Sequence, residues 1–587
     1  MRRTIARSVA VVLVVVIAAF TYPGAILASI AVHLTPAVGS SAFPITSGGL
    51  EWLHVEHAPG MTPFIADQEG RRVLLHGAIP AGLIDFWSGT DYSVTDTPPY
   101  YPIDPAAYDG KCPANSSAIA TPPLCQDDIK RMAALGFNSV RLPMSWSLLE
   151  PERGNFSELY LDRVAQVVGW ARDAGVYVIL DMHQNGYSRY VGRSDPPPLP
   201  DGARISLRYY TGAPRWATFT DGLPSESYAN QRELNPAALE ATTSFWYNRS
   251  GIQDEYIATV AHVMSRFKDD STVAGISIYN EPFPGWNLPP GFEDLLLFPF
   301  YRRVIDAITG VHDGLPCPTQ VFMPAPCGYP DLGVHDLHHL VFLDAGLLRE
   351  VTDFPTHLGL PVSSYPNLVL GFHAYTHVYT IDHLIDQSAP PDKASYPWGG
   401  YEQSYYWGER EARALGAALF VTEFGNDPKL DPIELANQLR EQEIHLTGFA
   451  FWTWMENCGG GNDKPYGVFD GIDCSTTRPQ PSSGCIRQER AAMLARVYPE
   501  SSSDPTLTYS YDPSTGYFTM RATGRSGDPA TVVMVPSVVT GSVTVGGAVA
   551  GEPSIAQTGE GRRVTVHPAG GAFTINIAAA PVAPFKC

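Results

Sequence analysis

Charge is scarce in this chain, and what there is leans one way. Charged residues make up 17% of the 587 positions, and 39 basic residues face 60 acidic ones for a formal net charge of -21. Such a surface repels polyphosphate, so nucleic acid is excluded as the main partner. The eight cysteines include no C-x-x-C and no Cys/His cluster with zinc-ligand spacing. With no nucleotide loop and no haem motif either, the chain carries no signature of a cofactor or a metal centre. No stretch beyond the N-terminus is long and apolar enough to span a bilayer. These absences leave a globular protein whose chemistry must come from its own side chains.

Hydrophobic residues supply 44% of the chain, enough for one large core and a smaller domain beside it. Arg2, Arg3 and Arg7 precede an apolar run over 9–20, and small residues follow at 25–29. Residues 1–34 therefore form a signal peptide or an N-terminal anchor, and both put the remainder outside the cytosol, secreted or on the cell surface. Export agrees with cysteines spaced for disulfides rather than for metal. Asn115, Asn155 and Asn248 sit in N-x-S/T sequons.

From 71 to 497 short apolar, β-rich runs alternate with helical patterns. Strands are expected at 73–79, 139–142, 176–182, 273–279, 368–373, 417–422 and 447–452. A fifth barrel strand falls at 320–325 or at 340–344. Continuous apolar strands separated by helices predict a buried parallel sheet, and eight such units close into a (β/α)8 TIM barrel over 35–499. Long insertions at 186–249 and 376–400 follow strands and so wall the catalytic face. Residues 501–504 read as a linker. Alternating strands at 507–511, 517–521, 530–535, 542–545, 563–566 and 572–577 then predict a small C-terminal β-sandwich over 500–587.

Glu281 follows Ser277-Ile278-Tyr279-Asn280, and Glu423 ends Phe420-Val421-Thr422. Both carboxyls thus stand at the C-terminal ends of expected strands, where catalytic groups of a barrel gather. Cleaving a glycosidic bond needs one carboxyl to protonate the leaving oxygen and a second to attack or to activate water. Two strand-end glutamates meet that need.

The motifs Ile278-Tyr279-Asn280-Glu281-Pro282 and Val421-Thr422-Glu423-Phe424-Gly425 resemble the acid/base and nucleophile motifs of glycoside hydrolase family 5. The resemblance extends to Arg141 after strand two, His183 after strand three, His373 and Tyr375 after strand six, and Trp452 (with Trp454 as a competing choice) after strand eight. It implies Glu281 as acid/base, Glu423 as nucleophile, retention through a covalent glycosyl-enzyme, and no cofactor. Arg141 would favour the charged form of Glu423, Tyr375 would donate to it, and Asn280 would hold a sugar 2-hydroxyl.

Within the family, Asp181-Met182-His183-Gln184-x-x-Tyr187-Ser188-Arg189, Tyr279 to Gly285 and Phe451 to Asn457 look most like endoglycoceramidases. That implies a glycolipid or oligosaccharide substrate, cut between glycan and ceramide, and contact with membrane surfaces or lipid micelles. Residues 285–298 then form either an apolar lip for a lipid tail or the packing face of the fourth helix. Asn185 departs from the group, which carries aspartate there. Losing that charge removes a strong acceptor for a sugar hydroxyl and points to galactose rather than glucose as first sugar, or to a simple glycolipid. The competing readings are a β-glucanase, mannanase or β-glucosidase on the same barrel and, in another class, a non-catalytic carbohydrate- or lipid-binding protein. His335, His338 and His339 form a second cluster, expected as an exposed polar loop ahead of a metal site.

Overall fold

The computed structural model describes residues 50–85, 103–112, 124–191, 210–225, 232–287, 291–312, 328–356, 362–381, 400–455, 466–469, 486–558 and 561–585. The N-terminal segment 1–34, the candidate strand at 320–325 and the cysteines other than Cys112 and Cys125 lie outside them.

Three short strands open the described chain: β1 (His54–Glu56), β2 (Phe64–Ala66) and β3 (Arg72–Val73). Eight more form the barrel: β4 (His76–Ala78), β5 (Ser139–Met144), β6 (Tyr177–Met182), β7 (Val273–Ser277), β8 (Leu340–Asp344), β9 (Leu368–His373), β10 (Ala418–Phe424) and β11 (Gly448–Phe451). They pair in parallel, and β11 closes on β4. The closed barrel confirms the expected fold class. It assigns the fifth barrel strand to Leu340–Asp344, whose five residues are all buried.

Each outer helix is cut to length by local chemistry. Ser157 accepts the Tyr160 amide at the start of the helix Glu158–Ala174, and Gly175 ends it at φ 69°. A side-chain oxygen at the N-cap and a left-handed glycine after the last turn are the two devices that stop a helix without leaving orphan groups. In the insertion after β6, Asn235 accepts from the Ala237 and Ala238 amides to start the helix Pro236–Trp246. Its Phe245 and Trp246 are buried against Tyr279, just ahead of Glu281.

The C-terminal region is β12 (Tyr498–Ser502), β13 (Thr508–Asp512), β14 (Tyr517–Gly524), β15 (Thr531–Pro536), β16 (Val543–Val549), β17 (Ser554–Thr558), β18 (Gly561–Val566) and β19 (Pro568–Ile577). One sheet runs β13-β14-β19-β16; the other runs β1-β2-β3-β12-β15-β18-β17. Two expectations are corrected here. The run 501–504 is not a linker: β12 pairs antiparallel with both β3 and β15, and Ser502 shares a hydrogen bond of 2.9 Å with Thr531. The run 73–79 is not one strand: Val73 belongs to the seven-stranded sheet and His76 to the barrel. Serine-rich composition resembles a linker, but a serine whose backbone pairs on both sides is a strand residue like any other.

Among the described residues no helix is long and apolar enough to cross a membrane. The Cys112 and Cys125 sulfurs stand at bonding distance, with their Cα atoms 5.6 Å apart.

Candidate active site

Both glutamates open into the C-terminal mouth of the barrel, and the backbone aims each one. The pairing of β10 slips between Val421 and Glu423, which sets Glu423 opposite His373 on β9. An irregularity of this kind redirects one side chain without moving the strand. Glu281 sits at φ 43°, in the left-handed region that a residue with a Cβ adopts at a cost of about 1–3 kcal/mol. Gln184 holds that turn, its amide nitrogen donating to the carbonyls of Asn280 at 2.7 Å and of Glu281 at 2.9 Å. As a result Glu281, His373 and Glu423 each place one oxygen or ring nitrogen within 4.8 Å of the others. A carboxyl separation near 5 Å belongs to retaining glycosidases, because inverting ones leave room for a water between the pair.

Around Glu423 the donors converge. The Tyr375 hydroxyl donates to Oε1 at 2.6 Å, and an Arg141 Nη lies 3.4 Å from Oε2. Burial and the Glu423 charge together push the Tyr375 hydroxyl up, so it keeps the proton it donates. Arg141 is fully buried and also meets Asp181 at 3.0 Å, Asp344 at 2.9 Å and the Asn280 side-chain oxygen at 2.9 Å. Burial alone would weaken its charge, but Asp181, Asp344 and Glu423 more than offset this and hold it as a cation. Asn280 is thereby oriented: its oxygen is fixed by Arg141 and its nitrogen donates to the Gln184 carbonyl at 3.0 Å.

His373 is the second cation. Its Nδ1 lies 3.2 Å from Glu281, 3.6 Å from Glu350 and 4.0 Å from Glu423, while Nε2 lies 4.0 Å from Asp344. Burial disfavours its charged form, yet Glu350, Glu423 and Glu281 outweigh burial and raise its pKa to about 10. Two carboxylates and an imidazole at this spacing can in principle ligate a divalent ion. An imidazolium has no lone pair to give, so at neutral pH this trio acts as an ion-paired acid–base set.

His183 donates through Nδ1 to the Asp181 carboxylate at 2.8 Å, and its ring lies parallel to Trp452 at 5.8 Å. Asn185 is buried beside it, its side-chain nitrogen 3.4 Å from His183 Nε2. Exposure distinguishes the two tryptophans. Trp454 is wholly buried and donates to Asp128, whereas Trp452 is half-buried next to His183. All nine residues singled out from the sequence — Glu281, Glu423, Arg141, His183, Asn185, Asn280, His373, Tyr375 and Trp452 — thus fall in one contiguous cluster.

Other expectations change. Leu296, Leu297 and Phe298 are buried in the core, so that half of the proposed lip packs the helix; Trp286, at 49% exposure, is the part that faces outward. Of the histidine trio only His335 fits an exposed loop. His339 is buried, paired with Asp336 at 2.7 Å and set edge-on to Trp52. Asp344, Gln184, Glu350 and Asp85 were missed. Asp344 ends β8 as Glu423 stands near the end of β10, so the same strand-end rule would have found it once that strand was chosen. Asp85 is buried beyond β4, pairing with Arg189 at 3.0 Å and accepting from Ser147 and Thr211.

Comparison with known proteins agrees with this geometry. Residues 108–457 match the family model described as Cellulase (glycosyl hydrolase family 5). Endoglycoceramidase I of Rhodococcus hoagii is 24% identical over 495 residues, covering 80% of this chain and 78% of that protein. A crystal structure of an endogalactoceramidase superposes with a TM-score of 0.68 at 26% identity, over 90% of this chain and 100% of that one. Endo-glycoceramidase II from Rhodococcus sp., in a ganglioside GM3 complex, shares the fold with a TM-score of 0.62 at 22% identity, over 88% of this chain and 99% of that one. The chain belongs to glycosyl hydrolase family 5 and is a retaining glycoside hydrolase.

Proposed function

We propose that the enzyme hydrolyses the bond between glycan and ceramide in glycosphingolipids, with Glu423 as nucleophile and Glu281 as acid/base. The carboxyl pair within 4.8 Å, one member gripped by Tyr375 and Arg141 and the other by His373, is the observation that carries the roles. Glu423 has the donors that hold a carboxylate in line for attack. It attacks the anomeric carbon while Glu281 gives its proton to the departing oxygen, leaving a glycosyl ester on Glu423. Glu281, now a base, takes a proton from water, and the hydroxide equivalent cleaves the ester with net retention. Asn280 holds the 2-hydroxyl, and Trp452 with His183 forms the wall against which the sugar ring packs.

Tyr187, Phe283 and Leu347 together with Gln184, Glu233 and Thr242 line a small crevice beside Glu281. Exposed Trp286 and Tyr247 lie farther along the same loops. These two exposed rings offer apolar surface for a lipid alcohol. The endoglycoceramidase names of the relatives support the same reading. Asn185 and the endogalactoceramidase resemblance together favour galactose as the first sugar. Export completes the proposal: the basic and apolar N-terminal pattern and the Cys112–Cys125 pair support a secreted or surface enzyme meeting its substrate in membranes or micelles.

The test is a lipid-product assay on glucosylceramide, galactosylceramide and longer glycosphingolipids beside cellulose and mannan oligomers. Release of ceramide by the wild type, but not by Glu281→Ala or Glu423→Ala, is the expected result. Cleavage of the polysaccharide fragments without ceramide release overturns the lipid assignment in favour of a glucanase or mannanase.

A further inference from the structure

Glu350 stands behind the catalytic pair on a short helix, Leu347–Thr352, that leaves it no freedom. The Leu347 amide donates to the Pro282 carbonyl at 2.8 Å, tying the helix start to the residue after Glu281. Arg349 ties the other flank, donating to Glu411 at 3.0 Å and to the Ser404 carbonyl at 2.7 Å. Glu350 itself is 3% exposed, and neither carboxyl oxygen has a hydrogen-bond partner among the described residues. A buried carboxyl without a bond costs several kcal/mol and demands an explanation. Its one near polar atom is His373 Nδ1, 3.6 Å from Oε2, and that same nitrogen is 3.2 Å from Glu281 Oε1. One N–H therefore faces two carboxyls.

We propose that Glu350 is a positioning residue of the catalytic centre, whose carboxyl competes with Glu281 for the Nδ1 proton of His373 and so sets the alkaline limit of general-acid catalysis. The proposal rests on the acid/base reading of Glu281. Desolvation pushes Glu350 well above the usual carboxylate range, the His373 charge opposes that rise, and the carboxyl therefore ionises late as pH climbs. The other groups facing the pair are Asp344 from β8, Glu423 from β10, Arg141 from β5 and Tyr301 from the helix Phe298–Thr309. Arg141 is already matched by Asp181, Asp344 and Glu423, so it does not neutralise Glu350. Once Glu350 ionises at the alkaline end, its negative charge resists the ionisation of Glu281. With Glu350 replaced by an amide, His373 still faces Glu281, Glu423 and Asp344 and keeps its proton, so Glu281 loses the repulsion and becomes a stronger acid.

The experiment compares wild type and Glu350→Gln on phenyl and 2,4-dinitrophenyl β-glycosides across pH. Phenol needs a proton from Glu281 to leave, whereas dinitrophenol does not. The expected result is an alkaline limb of kcat/KM for the phenyl glycoside moved down by about one pH unit, a loss of about tenfold beyond it, with little change for the dinitrophenyl glycoside. An unmoved or upward-moved limb, or a loss uniform in pH and leaving group, overturns it. If the variant does not fold, 15N-histidine spectra of the wild type decide. The ring that shifts when Glu423 is trapped with a 2-deoxy-2-fluoro glycoside must be an imidazolium at pH 8; a neutral ring without an Nδ1 proton sinks the proposal. A wild type inert on both aryl glycosides sinks the catalytic reading itself, which separates the two failures.

Discussion

Glu281 and Glu423 are the same side chain on neighbouring rims of one barrel, yet their surroundings prepare them for different work. Glu423 accepts two donors and Glu281 shares one N–H. Truncating each therefore leaves a distinct signature. Glu281→Ala should lose about 10²–10⁴ in rate on phenyl glycosides but far less on dinitrophenyl ones. Added azide should then yield a β-glycosyl azide, because it attacks the ester that the variant cannot hydrolyse. Glu423→Ala should be inactive on both, with azide giving the α-azide. Product anomers read by NMR check this, and exchanged signatures would exchange the roles. Most of this cluster was legible in the sequence because each residue follows an apolar strand. Glu350 was not. It lies on a six-residue helix in a loop, where an acid reads like any solvated one until a fold buries it.

At the scale of elements, the loop after β7 carries a device of its own. Residues Glu293–Leu297 form a π-helical turn ahead of the helix Phe298–Thr309. Such turns are rare and cluster near functional sites. Glu293 is buried within it, and desolvation raises its pKa to about 7. The sign follows from the proton count. Above pH 4.5 the unfolded carboxyl is ionised while the folded one still holds its proton, so stability falls as pH rises from about 4.5 to about 7 and stays lower beyond. Glu293→Gln removes that loss. Its melting temperature should equal or trail the wild type's at pH 4 and exceed it at pH 8, where the relief in stability is on the order of 3 kcal/mol. Calorimetry at both pH values decides, and a pH-independent difference contradicts the assignment. Barrel strands were readable as elements because burial on both faces makes them continuously apolar. The two-residue β3 was not: it is shorter than any period, and only its partners, Ala66 on β2 and Ser501–Ser502 on β12, define it.

On the scale of the whole molecule, barrel and sandwich are not separable beads. Beyond the β3–β12 pairing, Tyr498 donates to the Gly136 carbonyl at 3.0 Å. Arg496 joins Glu443 on a barrel helix to the sandwich, because Glu443 also accepts the Tyr511 amide at 3.2 Å. A chain ending at Pro499 would leave the β3 edge bare and these polar groups open. It should fail to yield soluble, monodisperse protein, while the longer chain from residue 50 should unfold in one calorimetric transition. A stable, active product from the shortened chain would show that the sandwich is dispensable.

The same strand pair also bears on how the protein is made. Arg72–Val73 emerges from the ribosome early, but its partner Ser501–Ser502 is some 429 residues away. At about 5–20 residues per second that interval lasts roughly 20–90 s. For that time three nascent strands expose an unpaired edge, an invitation to wrong partners. A chain built this way cannot close that sheet until its C-terminal strands are made, so the strands synthesised first wait longest for a partner.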